Sequence, residues 1–121
     1  MKHFVAIFTG SAQSAERAHW DRMDEAERRK RESEGMQAWY AWVQRHQSSI
    51  AEGGGPLGKT KRVTARGIED IRNNMAAFVV VRAESHEAAA RMFEQHPHFM
   101  IFPGDGVEIM EVLPVPPQPR A

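Results

Sequence analysis

Two side chains near the end of the chain have the types and spacing of an acid–base pair. His98 follows Pro97, and Asp105 lies seven residues later between two glycines. An imidazole with a pKa of about 6.5 can exchange a proton at neutral pH, and a neighbouring carboxylate can orient it. We therefore predict that a loop presents His98 as a catalytic residue and that Asp105 orients it. The alternative is that His98 caps a bend and Asp105 forms a simple Asp-Gly turn.

Other polar and aromatic side chains are candidates for ligand contact. Arg72, Asn73 and Asn74 could bind an anion or a carbonyl group, although such residues also form ordinary turns. His96 could join them, but a histidine at a predicted helix C-terminus is stabilised by the helix dipole without any function. Trp42 is expected first of all in the core, and because it lies off the main apolar stripe of its predicted helix it is also free to line a pocket or a subunit contact.

A metal site is the weaker interpretation of the two neighbouring histidines. His96, His98 and a carboxylate would make a set of two histidines and one carboxylate, which suits several transition metals. Pro97 forces a break between the two imidazoles, and no further pair of ligands stands elsewhere in the chain. We therefore expect neither a metal nor another cofactor.

The glycine-rich segment 53–60 matches the phosphate-loop pattern G-x-x-x-x-G-K-[ST]. A phosphate loop needs a strand before it and a helix after it, whereas here a helix is predicted before it and a strand after it. Pro56 also removes one of the backbone N–H groups that would contact the phosphates. We predict that these glycines form a sharp turn from helix to strand and bind no nucleotide.

Composition restricts the class of protein. Sixteen Lys and Arg residues balance sixteen Asp and Glu residues among 121 residues, so the basic surplus needed for nucleic-acid binding is lacking. The absence of cysteine excludes disulfides and thiolate chemistry. The first apolar run is too short for a signal peptide, and no segment is apolar for long enough to span a membrane. We expect a cytoplasmic protein that binds neither nucleic acid nor membrane.

Hydrophobic periodicity predicts the elements that position these residues. Strands are predicted at 3–9, 59–65, 75–82 and 106–113. A long helix is predicted to begin near Asp21 or Asp24 and to end at the glycines of 53–56, and a second helix is capped by Ser85 and stopped by Pro97. The long helix turns one apolar stripe toward the core: Met36, Trp39, Tyr40, Val43, Gln47 and Ile50.

The order strand, helix, strand, strand, helix, strand predicts an α+β domain with a ferredoxin-like βαββαβ fold and a four-stranded antiparallel sheet. Two helices cover only one face of such a sheet, although its central strands offer apolar residues to both faces. The sheet of a second subunit would cover the other face, which predicts a homodimer with a partly closed barrel between the two sheets. A monomer covered by its own long helix or tail is the alternative. The domain spans 1–114, and 115–121 form a proline-rich tail.

Three segments, GGPLGKTKRV, IRNNMAAFVVVRAESHEAAARMFEQHPHF and IFPGDGVEIMEVLP, resemble the YCII-related (DGPF) domain family over roughly residues 36–114. The resemblance implies a dimeric α+β barrel. It also implies that an active-site histidine and aspartate occur in some members and that a few act in the breakdown of chlorinated aromatics. The fold itself restricts chemistry only weakly.

The resulting hypothesis is a small homodimeric enzyme that performs His/Asp acid–base chemistry on a small organic molecule. His98 would move the proton, Asp105 would orient His98, and Arg72 with Asn73 would hold a polar group of the substrate. The alternative is a non-catalytic module that uses the same barrel to bind a metabolite or to dock a partner.

Overall fold

The two most apolar segments of the chain pair as the antiparallel centre of a four-stranded sheet in the computed structural model, which describes residues 1–17 and 19–119. The sheet order is β2-β5-β1-β6. In chain order the elements are β1 (Lys2–Thr9), α1 (Ala12–Arg17), α2 (Glu25–Arg45), β2 (Ile50–Pro56), β3 (Thr60–Thr64), β4 (Gly67–Ile71), β5 (Met75–Ala83), α3 (His86–Arg91), α4 (Pro97–Met100) and β6 (Gly106–Glu111). With β3 and β4 set aside as a separate hairpin, this arrangement confirms the predicted ferredoxin-like topology.

Two helices begin where the sequence predicts. Asp24 caps α2, because its carboxylate accepts the N–H of Glu27 at 2.8 Å. Ser85 caps α3, because its hydroxyl accepts the N–H of Ala88 at 3.0 Å. Each cap satisfies a backbone donor that the first turn of a helix leaves unpaired. The helical turn predicted around 14–19 lies partly outside the described residues, and α1 accounts for the part within them.

The core lies between one face of the sheet and the helices. Alternate residues of β1 point to this face, and Phe4, Ala6 and Phe8 are all buried. Buried residues from β5, α2, α3 and the turn after α3 complete it: Val79, Val81, Ala83, Trp42, Ala89 and Phe93.

The opposite face of the sheet is covered far less. Val5, Ile7 and Val80 are only half-buried, and Met110 of β6 is 42% exposed. In the strand register Val5 lies opposite both Val80 and Met110, so these side chains share one apolar surface.

The predicted position of the second strand of the sheet is wrong. The sheet strand is β2, whereas the predicted strand at 59–65 pairs with β4 in a separate two-stranded hairpin. The long helix therefore ends at Arg45, and Ile50 begins a strand and does not continue the helical stripe. The glycines of 53–55 lie inside β2, where they pair irregularly with β5. A strand also follows segment 53–60, so the helix that a phosphate loop requires is not there.

The prediction for the end of the second helix is also wrong. α3 ends at Arg91, and Pro97 opens the short helix α4. Proline is favoured at the first position of a helix, since the N–H that it lacks would be unpaired there anyway. His96 is consequently the N-cap of α4, and His98 lies inside that helix.

Among the described residues, no helix has the length and apolar character that crossing a membrane requires.

Candidate functional site

His98 is buried at one end of the sheet. Its ring Nε2 lies 2.7 Å from the carbonyl oxygen of Thr9, the last residue of β1. A carbonyl can only accept a hydrogen bond, so Nε2 carries the proton and Nδ1 of the neutral ring keeps its lone pair. The prediction that an exposed loop presents His98 is wrong, because its side chain is only 9% exposed and lies in α4.

Asp105 lies near His98, and both residues meet the same backbone carbonyl. The N–H of Asp105 donates to the Thr9 carbonyl at 2.9 Å. Gly104, the residue before Asp105, packs directly on His98. Its N–H donates to the carbonyl of His98 at 2.9 Å, and an added Cβ would lie 2.3 Å from Nε2 of that histidine. The close approach of the chain at Gly104 thus places the Asp105 backbone next to the imidazole.

The pKa of His98 is lowered from its ordinary value, chiefly by burial, which disfavours the charged ring. The Thr9 carbonyl and the negative charge of Asp105 act in the opposite direction and raise this pKa, but less strongly. His98 is therefore neutral at pH 7, with one ring nitrogen donating and the other able to accept a proton. In this state it suits the role of a base.

His96 supports His98 from inside the core. Its Nδ1 accepts the backbone N–H of His98 at 3.0 Å, and its side chain is fully buried. Burial, followed by the neighbouring His98, lowers its pKa to about 3. Its Nε2 has no hydrogen-bond partner among the residues that the structure describes. His96 is thus a permanently neutral N-cap at ordinary pH, in place of the predicted helix C-terminal histidine.

Aromatic rings surround both imidazoles. The ring centroid of Phe8 is 5.0 Å from that of His96 and 5.2 Å from that of His98. Trp39 is 4.6 Å and 6.1 Å from the same two rings, and its plane is nearly perpendicular to both. Edge-to-face packing of this kind is favourable and excludes water.

Phe8 and Trp39 also form part of the wall of a cavity between α2 and the sheet. The cavity has a volume of about 470 Å³ and lies on the helix-covered side of β2 and β5. Small-molecule sites in proteins are concave, mostly apolar and of similar size. The lining consists of Phe8, Met36, Trp39, Tyr40, Trp42, Val43, Ile50, Gly53, Gly55, Pro56, Ala77, Phe78, Val79 and Phe102.

The cavity wall contains glycine where β2 faces it. An added Cβ at Gly53 or Gly55 would meet no atom within 4 Å, so the strand leaves open space there. A glycine inside a strand often marks a place where a ligand approaches the backbone closely. At the mouth of the cavity Met36 and Tyr40 are exposed. No His, Asp, Glu, Lys or Arg is among the lining residues, and His98 lies behind Phe8 and Trp39.

Comparison with known proteins supports the fold of this chain but assigns the chain to no family. No protein-family model matches the chain, and no curated protein gives a significant match. Three chains of solved structures match. One is 5-chloro-2-hydroxyhydroquinone dehydrochlorinase (TftG) from Burkholderia phenoliruptrix AC1100, in complex with 2,5-dihydroxybenzoquinone. It has a TM-score of 0.53 and 14% sequence identity, over 89% of this chain and 90% of that chain. This chain has the α+β fold of that structure.

The predicted ligand residues 72–74 do not line the cavity, although they lie at the end of the sheet where His98 is held. Arg72 is exposed. Asn73 holds the base of the hairpin, since its side chain donates to the hydroxyl of Thr60 at 3.2 Å and accepts the N–H of Met75 at 2.9 Å. The carbonyl of Asn74 accepts the N–H of Gly10 at 2.9 Å, which places these residues at the same end of the sheet as Thr9.

Trp42 belongs to the core and forms part of the cavity wall. Its ring is 2% exposed, and its indole N–H donates to the carbonyl of Met92 at 2.8 Å. The expectation of a core position agrees with this burial, and Trp42 also lines the cavity. The prediction that Trp42 lies off the packed stripe of its helix is wrong. The prediction failed because the buried side of α2 follows Gly35, Trp39 and Trp42, whereas the apolar stripe in the sequence also includes the exposed Met36 and Tyr40.

We expect the substitution Trp42→Phe to lower the free energy of unfolding by about 1–2 kcal/mol, because it leaves the Met92 carbonyl without its buried donor. Urea denaturation checks this value. Tyr40→Phe is the control, because Tyr40 is 63% exposed and its replacement should change stability by less than about 0.5 kcal/mol. Equal stabilities of the two variants would contradict this role of the indole N–H.

No three His, Asp or Glu side chains lie close enough together to share a metal ion within the ranges 1–17 and 19–119. Apart from Trp42, sequence reasoning missed the aromatic and glycine residues of the cavity. Glycines 53 and 55 are the available signal, but in the sequence such glycines are typical of a turn.

Proposed function

We propose that this protein binds a small, planar and largely apolar organic molecule in the cavity between α2 and the sheet. The observation that supports this proposal most directly is the cavity of about 470 Å³, with Phe8, Trp39 and Phe102 in its wall and no charged side chain lining it. Aromatic rings bind flat apolar molecules through face and edge contacts, and an uncharged wall disfavours an ionic ligand. Gly53 and Gly55 leave the strand open to such a ring.

A dihydroxylated aromatic or quinone is a suitable first probe. TftG was solved with 2,5-dihydroxybenzoquinone, and at 14% identity this likeness guides the choice of compound only. The exposed hydroxyl of Tyr40 at the cavity mouth could hydrogen-bond a polar edge of the ligand while the ring enters the apolar interior.

Our proposal includes proton transfer by His98, with Asp105 beside it. His98 is neutral and retains a lone pair on Nδ1, and the negative charge of Asp105 favours its protonated form. Phe8 and Trp39 line the cavity and contact this imidazole, so proton transfer to a ligand in the cavity requires these rings to move aside.

The second candidate function is ligand binding without catalysis. It is favoured by one specific observation: His98 uses Nε2 on the backbone of Thr9 and is not a lining residue of the cavity. The substitution His98→Gln separates the two candidates, because glutamine can keep the donor to the Thr9 carbonyl but cannot take up a proton. Loss of turnover with binding retained would support catalysis, and unchanged turnover would support a histidine that only positions α4.

An assembly and a family complete the proposal. The half-buried sheet face of Val5, Ile7 and Val80 supports a homodimer in which two such faces meet. The fold and the segments quoted above support membership of the YCII-related family, with residues 1–114 as the functional domain and the proline-rich segment 115–121 outside it.

Calorimetric titration with 2-naphthol and naphthalene-2,3-diol, which are both neutral at pH 7, tests ligand binding, with cyclohexane-1,2-diol as the non-planar comparison. We expect the planar compounds to bind and the saturated diol to bind at least tenfold more weakly. The substitution Gly55→Leu places a side chain in open space on the cavity wall, so it should weaken binding of the planar compounds at least tenfold, or about 1.4 kcal/mol.

Gly58→Leu is the matched control for this experiment. An added Cβ at Gly58 also meets no atom within 4 Å, but Gly58 does not line the cavity. We expect this variant to bind like the wild-type protein. Equal weakening by both substitutions, or binding that Gly55→Leu leaves unchanged, would overturn the assignment of the ligand to this cavity.

A further inference from the structure

The hairpin formed by β3 and β4, which we call the arm, stands apart from the body of the protein. Its two strands pair only with each other in the described part of the chain, and every residue from 61 to 70 is exposed. A two-stranded hairpin without a further layer is only marginally stable in water. An ordered arm of this kind therefore gains most from a surface that lies outside its own chain.

The base of the arm is firmly attached to the sheet. The side chain of Asn73 bridges the Thr60 hydroxyl and the Met75 N–H, and the N–H of Leu57 donates to the carbonyl of Ala76 at 2.9 Å. These bonds connect both ends of the arm to β5 and to the end of β2. The arm thus continues from the end of the sheet in a fixed direction.

The arm contains two charged cross-strand pairs and one apolar cross-strand pair that nothing covers among the described residues. Lys61 and Asp70 form an ion pair at 2.7 Å, and Arg62 donates to Glu69 through Nε at 2.8 Å. Val63 and Ile68 lie directly opposite each other, and they are 73% and 71% exposed. Residues two apart on a strand share a face, so this apolar pair lies next to the Lys61–Asp70 pair.

We infer that Val63 and Ile68 of the arm pack against a second copy of this chain. Lys61 and Arg62 of the arm are paired with Asp70 and Glu69, and the whole chain has no net charge, so a polyanion is a poor match for this surface. An apolar partner surface does exist on the chain itself, at the edge strand β6, where Met110 is 42% exposed and borders the sheet face that the second copy covers.

This inference rests on the proposed homodimer and extends it. When two sheets meet through a two-fold axis, each arm extends beyond the end of its own sheet, and both arms make the same contact with the opposite copy. The interface would then combine the sheet faces with two arm contacts, and it would bury the apolar pairs that each chain leaves exposed.

The double variant Val63→Lys/Ile68→Glu tests this inference. It removes the apolar pair but places opposite charges across the two strands, as in the neighbouring Lys61–Asp70 pair, so the hairpin itself should persist. In sedimentation equilibrium we expect the dissociation constant of the dimer to rise at least tenfold. The matched control is Leu113→Glu/Val115→Lys, which changes two exposed apolar residues outside the arm and should leave the dimer intact.

The possible outcomes distinguish failure of the proposed arm contact from failure of the proposed homodimer. A wild-type dimer whose dissociation constant changes less than twofold in the arm variant would overturn the arm contact and leave the homodimer standing. A wild-type protein that stays monomeric at all concentrations would overturn both proposals. Weakening by the arm variant alone, with the circular-dichroism spectrum unchanged, supports the inference.

Discussion

Lowering the pH from 6.5 to 4 is expected to reduce the free energy of unfolding by about 3 kcal/mol through His96 alone. This histidine is fully buried among Phe8, Trp39 and Trp42, and its pKa in the folded state is about 3 against an ordinary value of 6.5. Between these two values the unfolded chain binds a proton that the folded chain excludes. Stability from this residue is therefore complete above pH 6.5 and is lost as the pH falls toward 3.

The variant His96→Asn isolates this contribution. Asparagine is a good N-cap and can accept the N–H of His98, but it does not titrate. We expect the variant to be less stable than the wild-type protein at pH 7.5, because it fills the aromatic site less well, and to lose about 3 kcal/mol less on acidification. Urea denaturation at several pH values measures both quantities.

His3→Asn is the control for this experiment, since His3 is exposed. His98 and His46 also have lowered pKa values, chiefly from burial, so some acid sensitivity should remain in the His96 variant. Identical pH dependence of wild-type and His96→Asn proteins would show that His96 is accessible to protons in the folded state and would contradict its burial as a neutral cap.

The substitution Gly104→Ala is expected to destabilise the protein by about 3 kcal/mol, at the upper end of the range for overpacked sites. The new Cβ would lie 2.3 Å from Nε2 of His98 and 2.4 Å from its backbone oxygen. The ring is held on the Thr9 carbonyl, and the oxygen is held by the N–H of Gly104 itself, so neither can move without losing a hydrogen bond. We therefore expect α4 to shift and His98 to leave Thr9.

Two measurements check the Gly104 prediction. Urea denaturation gives the loss of stability, and the imidazole nitrogen resonances of His98 should show loss of the single Nε2-protonated tautomer. Gly106→Ala is the matched control two residues away, because an added Cβ there meets no atom within 4 Å. A Gly104→Ala protein as stable as the Gly106→Ala protein would contradict the close packing of Gly104 on His98.

Local signals in the sequence were sufficient to predict the two central strands of the sheet and the starts of α2 and α3. β1 and β5 are apolar runs on both faces, which identifies them as central strands wherever the rest of the chain lies. Asp24 and Ser85 act on backbone groups three residues away, so their capping role follows from short-range geometry.

β2 and the histidine segment could not be predicted in the same way, because their structure depends on distant residues. Three glycines in succession are typical of a turn, and here pairing with β5 makes them a strand, with Gly54 at a φ of 63° against the carbonyl of Phe78. Proline both ends and begins helices, so Pro97 alone did not decide between the two. Only the packing of His96 among aromatic rings from β1 and α2 shows that a helix starts there.

Only the part of the candidate site that depends on residues close together in the sequence could be predicted. The neighbourhood of His98 and Asp105 followed from their separation of seven residues, and both meet the carbonyl of Thr9. The burial of His98 and the aromatic cavity did not follow, because their walls come from β1, α2, β2, β5 and the segment after α4. Residues so far apart in the sequence come together only through the sheet order.

A crystal structure of the protein with 2-naphthol tests the central claim most directly. We predict that the naphthalene ring lies in the cavity between α2 and β5, in contact with Phe8 and Trp39 and with Gly55 at its edge. A ligand found only on the surface, or an empty cavity in crystals saturated with the compound, would contradict it.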